Sequence, residues 1–134
     1  MLRIAVLASG SGSNAQCLYE YFEKSQLARV ELIVTNNTKA GVIDRFSGKK
    51  VTIRTFDPST ESDVVLQELT QGADLVVLAG HLKMIPAAWT RAFQGRMLNI
   101  RPALLPKFGG KGMYGKHVHQ AVSEAGETET GITI

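Results

Sequence analysis

An α/β fold with a doubly wound, mostly parallel sheet is the architecture this sequence predicts, on three observations. Short β-branched and apolar runs alternate along the chain with stretches that are apolar at helical spacing, the pattern of strands joined by crossover helices. The strongest runs, Arg3-Ile4-Ala5-Val6-Leu7-Ala8 and Asp74-Leu75-Val76-Val77-Leu78-Ala79, are continuous rather than alternating, as in strands covered on both faces. The first run enters a glycine-rich turn, Ser9-Gly10-Ser11-Gly12-Ser13-Asn14, that leads directly into a helix, the opening of a nucleotide-binding unit.

Each element follows from its local chemistry. After the turn, Ala15, Leu18, Tyr19 and Phe22 share one helical face, and Ser13 or Asn14 reads as the N-cap. Val30 to Thr35 is the second strand, ended by the turn-forming Asn36-Asn37, and Ala40 to Phe46 is a short helix. Val51 to Phe56 alternates and reads as a strand nearer the edge. Asp57 to Thr60 reads as a capping loop before a helix from Glu61 to Thr70 with Val64, Val65, Leu66 and Leu69 as its apolar residues. The run at Asp74 to Ala79 is the most apolar and is expected to be central. Gly80 to Ile85 is a loop, and Pro86 suits the first turn of a helix whose Trp89 and Phe93, four residues apart, read as core. Met97 to Ile100 reads as a buried fifth strand, cut off by Pro102. A last helix is expected over Gly115 to Glu124. Gly131 to Ile134 reads as the start of a sixth strand where the sequence stops, so the sheet is expected to be incomplete at that end.

Length and composition narrow the function. The 134 residues suit one domain, 1–134, and 44% hydrophobic with 20% charged residues is an ordinary globular mixture. The net charge of +3 is scattered, with Lys49-Lys50 the only adjacent basic pair. A nucleic-acid partner would call for a basic stripe, so an anionic small molecule is the expected partner. The single cysteine, Cys17, cannot pair internally and reads as a half-buried thiol in a reducing cytoplasm. Leu2 to Ala8 is too short to cross a bilayer and lacks signal-peptide features, so no membrane role is expected. His81, His117 and His119 do not have zinc-ligand spacing, so no metal is expected; His119 reads as a polar group behind the residues that meet substrate. The oligomeric state is not legible.

A parallel sheet of this kind collects three loops on one rim: Ser9–Asn14, Gly80–Ile85 and Asn99–Gly112. In the first, glycines let the backbone approach an anion, and the open N–H groups of the helix start point at it along the helix dipole; the alternative is a tight turn with no ligand. The spacing is neither GxGxxG nor a P-loop, and Asn36 and Asn37 stand where a dinucleotide site wants an acidic residue. Lys83 reads equally as a solvated lysine or a contact for an acidic substrate. Gly109 to Gly112 reads as a lid or a plain surface loop. Asn99, ending an apolar run, must satisfy its amide, either structurally or by donating to a carbonyl oxygen as an oxyanion-hole group does.

The segment Asn99-Ile100-Arg101-Pro102-Ala103-Leu104-Leu105-Pro106 resembles the formyltransferase signature Asn-Ile-His-Pro-Ser/Ala-Leu-Leu-Pro. With Ala8-Ser9-Gly10-Ser11-Gly12-Ser13-Asn14 and Val77-Leu78-Ala79-Gly80, the chain is similar over its whole length to the phosphoribosylglycinamide formyltransferases of purine biosynthesis. The resemblance implies a Rossmann-like formyltransferase fold and transfer of a formyl group from 10-formyltetrahydrofolate to the amine of 5-phosphoribosyl-glycinamide. It implies that Gly12, Ser13 and Asn14 bind the substrate phosphate, that Leu82, Lys83, Met84 and Ile85 line the folate pocket, and that Asn99 holds the formyl oxygen. The family's catalytic histidine falls at Arg101. A histidine there lends a proton near neutral pH, whereas arginine keeps its proton and can stabilise negative charge only. The family also continues past the final strand to a catalytic aspartate, so the chain reads as an N-terminal fragment or shortened variant. The two departures predict an inactive or very weakly active chain. The alternative is a non-catalytic module that binds a ribonucleotide or phosphate.

Overall fold

A computed structural model describes residues 1–100 and Ile134. The chain divides into two compact units, Met1–Leu98 and Asn99–Ile134. The first holds a sheet flanked by helices in the order β1 (Leu2–Leu7), α1 (Ser13–Glu23), β2 (Ala28–Thr35), α2 (Gly41–Phe46), β3 (Thr52–Thr55), α3 (Pro58–Gly72), β4 (Leu75–Leu78), α4 (Ala87–Ala92) and β5 (Met97–Asn99), whose last residue opens the second unit. The five strands lie in the order β3-β2-β1-β4-β5. β1 is parallel to β2 and to β4, and β2 is parallel to β3, so the doubly wound expectation holds.

β1 is the middle strand. Its side chains alternate between two covered faces. Ala5 and Leu7 join Val34, Phe56, Val65, Leu69, Val76, Trp89 and Phe93 in one core under α3 and α4. Ile4 and Val6 face the other way, toward the layer where α1 packs on β2 and Tyr19 meets Phe46 of α2 edge-on at 5.5 Å. β4 was expected to be central; it lies inside the sheet but one place off the middle, and Leu75 and Leu78 are only partly buried because the strand beyond it is three residues long. β3 lies at one edge of the described sheet, as its alternation predicts. Its Arg54 donates to Glu68 (2.8 Å) and lies 3.5 Å from Glu61, both on α3, and charge on an edge discourages pairing with other chains.

The helix ends correct several expectations. α1 begins at Ser13 with Gly12 as N-cap at φ 78°, and no side chain caps it; Ser13 and Asn14 lie inside the helix. α3 starts three residues earlier than expected, because Asp57 accepts from the Ser59 N–H (2.9 Å) and Glu61 accepts from the Asp57 N–H (2.9 Å). This reciprocal satisfaction of open donors lets Pro58 take the first helical position. Trp89 and Phe93 are core as expected, and the Trp89 indole N–H donates to the Ser62 carbonyl at 3.2 Å. β5, expected to be buried, has Leu98 45% exposed, since no described strand lies beyond it. The expected last helix and sixth strand fall outside the described residues.

One brace escaped the sequence reading. Arg3 donates from Nε and from its backbone N–H to the Asp74 carboxylate (3.1 and 2.8 Å), tying the amino ends of β1 and β4. Those bonds hold the Asp74 carboxyl down at about 2.

Candidate active site

The strand order decides where a ligand can sit. From β1 the chain moves out to β2 and β3, then returns to lay β4 against the other side of β1. The crevice outside the carboxyl ends of β1 and β4 is therefore the topological switch point, where open α/β sheets bind ligands. Two of the three expected rim loops start there: the one after Leu7, which leads to α1, and the one after Leu78, which leads to α4. The third opens the second unit, and all of it beyond Ile100 lies outside the described residues.

The first loop is built by close approach. A side chain on Gly12 would put its Cβ 2.4 Å from Val42 Cγ2 and 3.0 Å from Val42 Cα, at a backbone angle that L-residues avoid. Glycine there lets the start of α2 press against the loop, and the Val42 N–H donates to the Gly10 carbonyl (2.9 Å). Arg45 of α2 donates to the Ser11 carbonyl at 2.6 Å and to Gln16. The first bond within α1 runs from the Gln16 N–H to the Gly12 carbonyl (2.9 Å), and the N–H groups of Ser13, Asn14 and Ala15 meet no acceptor among the described residues. No acidic side chain occupies that first turn. Open donors at the positive end of a helix dipole suit an anion, and the exposed Ser13 and Asn14 add a hydroxyl and an amide.

The second loop is loose on its outer side. Gly80, at φ 83°, turns the chain away from β4. Ile85 packs back on the core beside Trp89, but Leu82 is 53% and Met84 94% exposed, as is Lys83. The Asp57 carboxyl is lowered chiefly by hydrogen bonds from Ser59, and the Lys83 charge adds to this. His81 is mostly buried, its Nδ1 has no partner among the described residues, and desolvation pushes the imidazole down to about 4. At neutral pH it is uncharged.

Ser9 joins the two loops, and sequence reasoning passed over it. It is 5% exposed. Its hydroxyl donates to Asn36 Oδ1 (2.7 Å) and accepts from the Leu82 N–H (3.1 Å). Its backbone N–H donates to the Gly80 carbonyl (3.0 Å), and its carbonyl accepts from Asn37 Nδ2 (3.4 Å). The structure thus brings the Gly12–Asn14 and Leu82–Ile85 segments to one rim. A serine inside a run that continues an apolar strand was the available signal, along with the paired asparagines read only as turn formers. Asn99 is exposed at the end of β5. Arg101, His119 and the Gly109–Gly112 segment lie outside the described residues. Cys17, expected to be half-buried, is exposed on α1, because the inward face of that helix runs through the buried Ala15 and the half-buried Leu18, Tyr19 and Phe22. Among the described residues no group of three or more His, Cys, Asp or Glu is placed to hold a metal ion, and no helix is long and apolar enough to cross a membrane.

A doubly wound sheet with an open helix start at its switch point is an α/β arrangement whose chemistry suits an anion. Comparison with known families is more specific: the formyl transferase family pattern matches residues 2–134, and the chain belongs to that family. It is 40% identical over 98% of its length to the chloroplastic phosphoribosylglycinamide formyltransferase of Arabidopsis thaliana, covering 48% of that protein. It is 32% identical over its whole length to phosphoribosylglycinamide formyltransferase from Haemophilus influenzae, covering 65%. The crystal structure of glycinamide ribonucleotide transformylase 1 from Geobacillus kaustophilus superposes on 99% of the chain with a TM-score of 0.85 at 36% identity, and 72% of that protein is matched. The chain spans about half the length of the plant relatives it matches, 48% and 45%.

Proposed function

We propose that the chain, read as one formyltransferase domain, acts in transferring a formyl group from 10-formyltetrahydrofolate to the amine of 5-phosphoribosyl-glycinamide. The observation that carries this is the pairing at one switch point of open helix-start donors with an exposed apolar segment, in a chain similar to proteins of that name. Gly12, Ser13 and Asn14 take the substrate phosphate on backbone N–H groups. Leu82, Met84 and Ile85 offer the apolar surface a pterin ring needs, and Lys83 offers a cation to the carboxylates of a folate tail. The Asn99 amide donates to the formyl oxygen, where negative charge develops as the amine adds. Arg101 stabilises that charge without giving up a proton, and His119 supports from behind. The substrates are small molecules, and the cytoplasm suits an exposed lone cysteine.

Arg101 favours a second reading, a module that binds the ribonucleotide without transferring the formyl group. Calorimetric titration of 5-phosphoribosyl-glycinamide and of tetrahydrofolate, followed by an assay of formyl transfer, separates the two. Binding of both with transfer supports the enzyme, and binding without transfer supports the module. Failure to bind either overturns both. In the enzyme reading Arg101→His raises transfer about a hundredfold, the low end of what a positioned proton donor contributes.

A further inference from the structure

We propose that Ser9 is a positioning residue whose hydroxyl, oriented by Asn36, sets the Leu82–Ile85 segment for its ligand. The inference rests on the folate-facing role given to that segment above, but its physical basis is separate. Ser9 and Thr35 are the two buried polar residues among the described ones. A hydroxyl has one proton to give, and Ser9 gives it to Asn36 Oδ1 at 2.7 Å. That commitment turns its lone pairs toward the Leu82 N–H, which donates to them at 3.1 Å. The polarity therefore runs in one direction, from Leu82 through Ser9 to Asn36.

The same serine holds the segment a second time. Its N–H donates to the Gly80 carbonyl at 3.0 Å, so residues 80 and 82 are both tied to one residue of the β1–α1 loop, with His81 between them. Beyond Leu82 the segment has little support of its own: Lys83 and Met84 are exposed, and the next buried contact is Ile85 on the core. Removing the hydroxyl spares the Gly80 and Asn37 bonds, because both use the Ser9 backbone. It leaves the Leu82 N–H without its acceptor and frees the outer half of the loop. The Gly12–Asn14 backbone keeps its supports from Val42 and Arg45, so the loss falls on one ligand segment and not on the other.

Ser9→Ala tests this in two ways. Amide hydrogen exchange in the ligand-free protein reads the positioning itself. The Leu82 N–H should exchange at least tenfold faster, while the amides of Ala8 and Ala79, which pair to Val34 and Leu7, stay slow. Titration reads the consequence: tetrahydrofolate should bind about tenfold more weakly, with the affinity for 5-phosphoribosyl-glycinamide within twofold of wild type. Asn36→Ala removes only the acceptor of the hydroxyl proton and should shift both readouts in the same direction by about threefold, which keeps the test available should Ser9→Ala fold poorly. Unchanged Leu82 exchange in both variants overturns the proposal, as does equal weakening of the two ligands. Should the wild-type chain bind no tetrahydrofolate, the functional reading fails, while Leu82 exchange still decides what Ser9 does.

Discussion

The two loops at the switch point are held in opposite ways. The β1–α1 loop is fixed by steric fit: Gly12 fills a space that admits no side chain, α2 presses on it, and its backbone groups are bonded to Val42 and Arg45. The β4–α4 loop is held from outside, by the two bonds to Ser9 at one end and by Ile85 on the core at the other. Between them it carries an imidazole nitrogen with no partner among the described residues and two large apolar side chains turned to solvent. The first arrangement suits a small, rigid anion that always has the same shape. The second suits a broad ligand that brings its own surface. The two loops thus differ in what holds them, and substitutions can show how sharply.

The largest effect is expected at Gly12. Gly12→Ala adds a left-handed backbone cost to a clash with Val42, together about 2–4 kcal/mol of lost stability, read as a lower urea midpoint and accompanied by loss of 5-phosphoribosyl-glycinamide binding. Next is His81. Its folded value of about 4 lies below the unfolded value of about 6.5, so the unfolded chain takes up the proton first as pH falls. Stability is then full above pH 6.5, declines between 6.5 and 4, and this group adds no further slope below 4. The decline should be about 3 kcal/mol in urea titrations, and His81→Phe should flatten it. Met84→Ala, at a residue 94% exposed, should leave the unfolding midpoint within about 0.5 kcal/mol yet weaken tetrahydrofolate binding about tenfold, or roughly 1.4 kcal/mol. The smallest effect is at Gly10, where a Cβ would meet nothing within 4 Å. Gly10→Ala should change stability by less than about 0.5 kcal/mol, and a loss like that of Gly12→Ala would dissolve the distinction between the two glycines.

The sequence exposed whatever depends on near neighbours. Continuous apolar runs marked β1 and β4, and alternation placed β3 at an edge. The glycine-rich turn located the helix start that offers its donors, since close approach and a positive φ both demand glycine. Longer-range features stayed hidden. Ser9 finds its partners 27 and 73 residues away, and Arg3 finds Asp74 across 71, distances at which no local pattern survives. The cap of α1 was misread because Ser13 and Asn14 are good capping residues by type, whereas the packing of α2 on the loop decides which residue takes that place. Leu98 was read as buried from its apolar run, but burial depends on what covers a strand, and that is a property of the whole sheet.

The span of 73 residues between Ser9 and Leu82 also bears on the order of assembly. β1 can pair with β2 after closing a short crossover, but it reaches β4 only when α1, β2, α2, β3 and α3 have been threaded between them. Contacts so distant along the chain carry the largest loop-closure cost and form slowly. Among the described strands, pairing of β1 with β4 therefore carries a larger closure cost than pairing of β1 with β2, and the crevice outside the carboxyl ends of β1 and β4 depends on the costlier of the two.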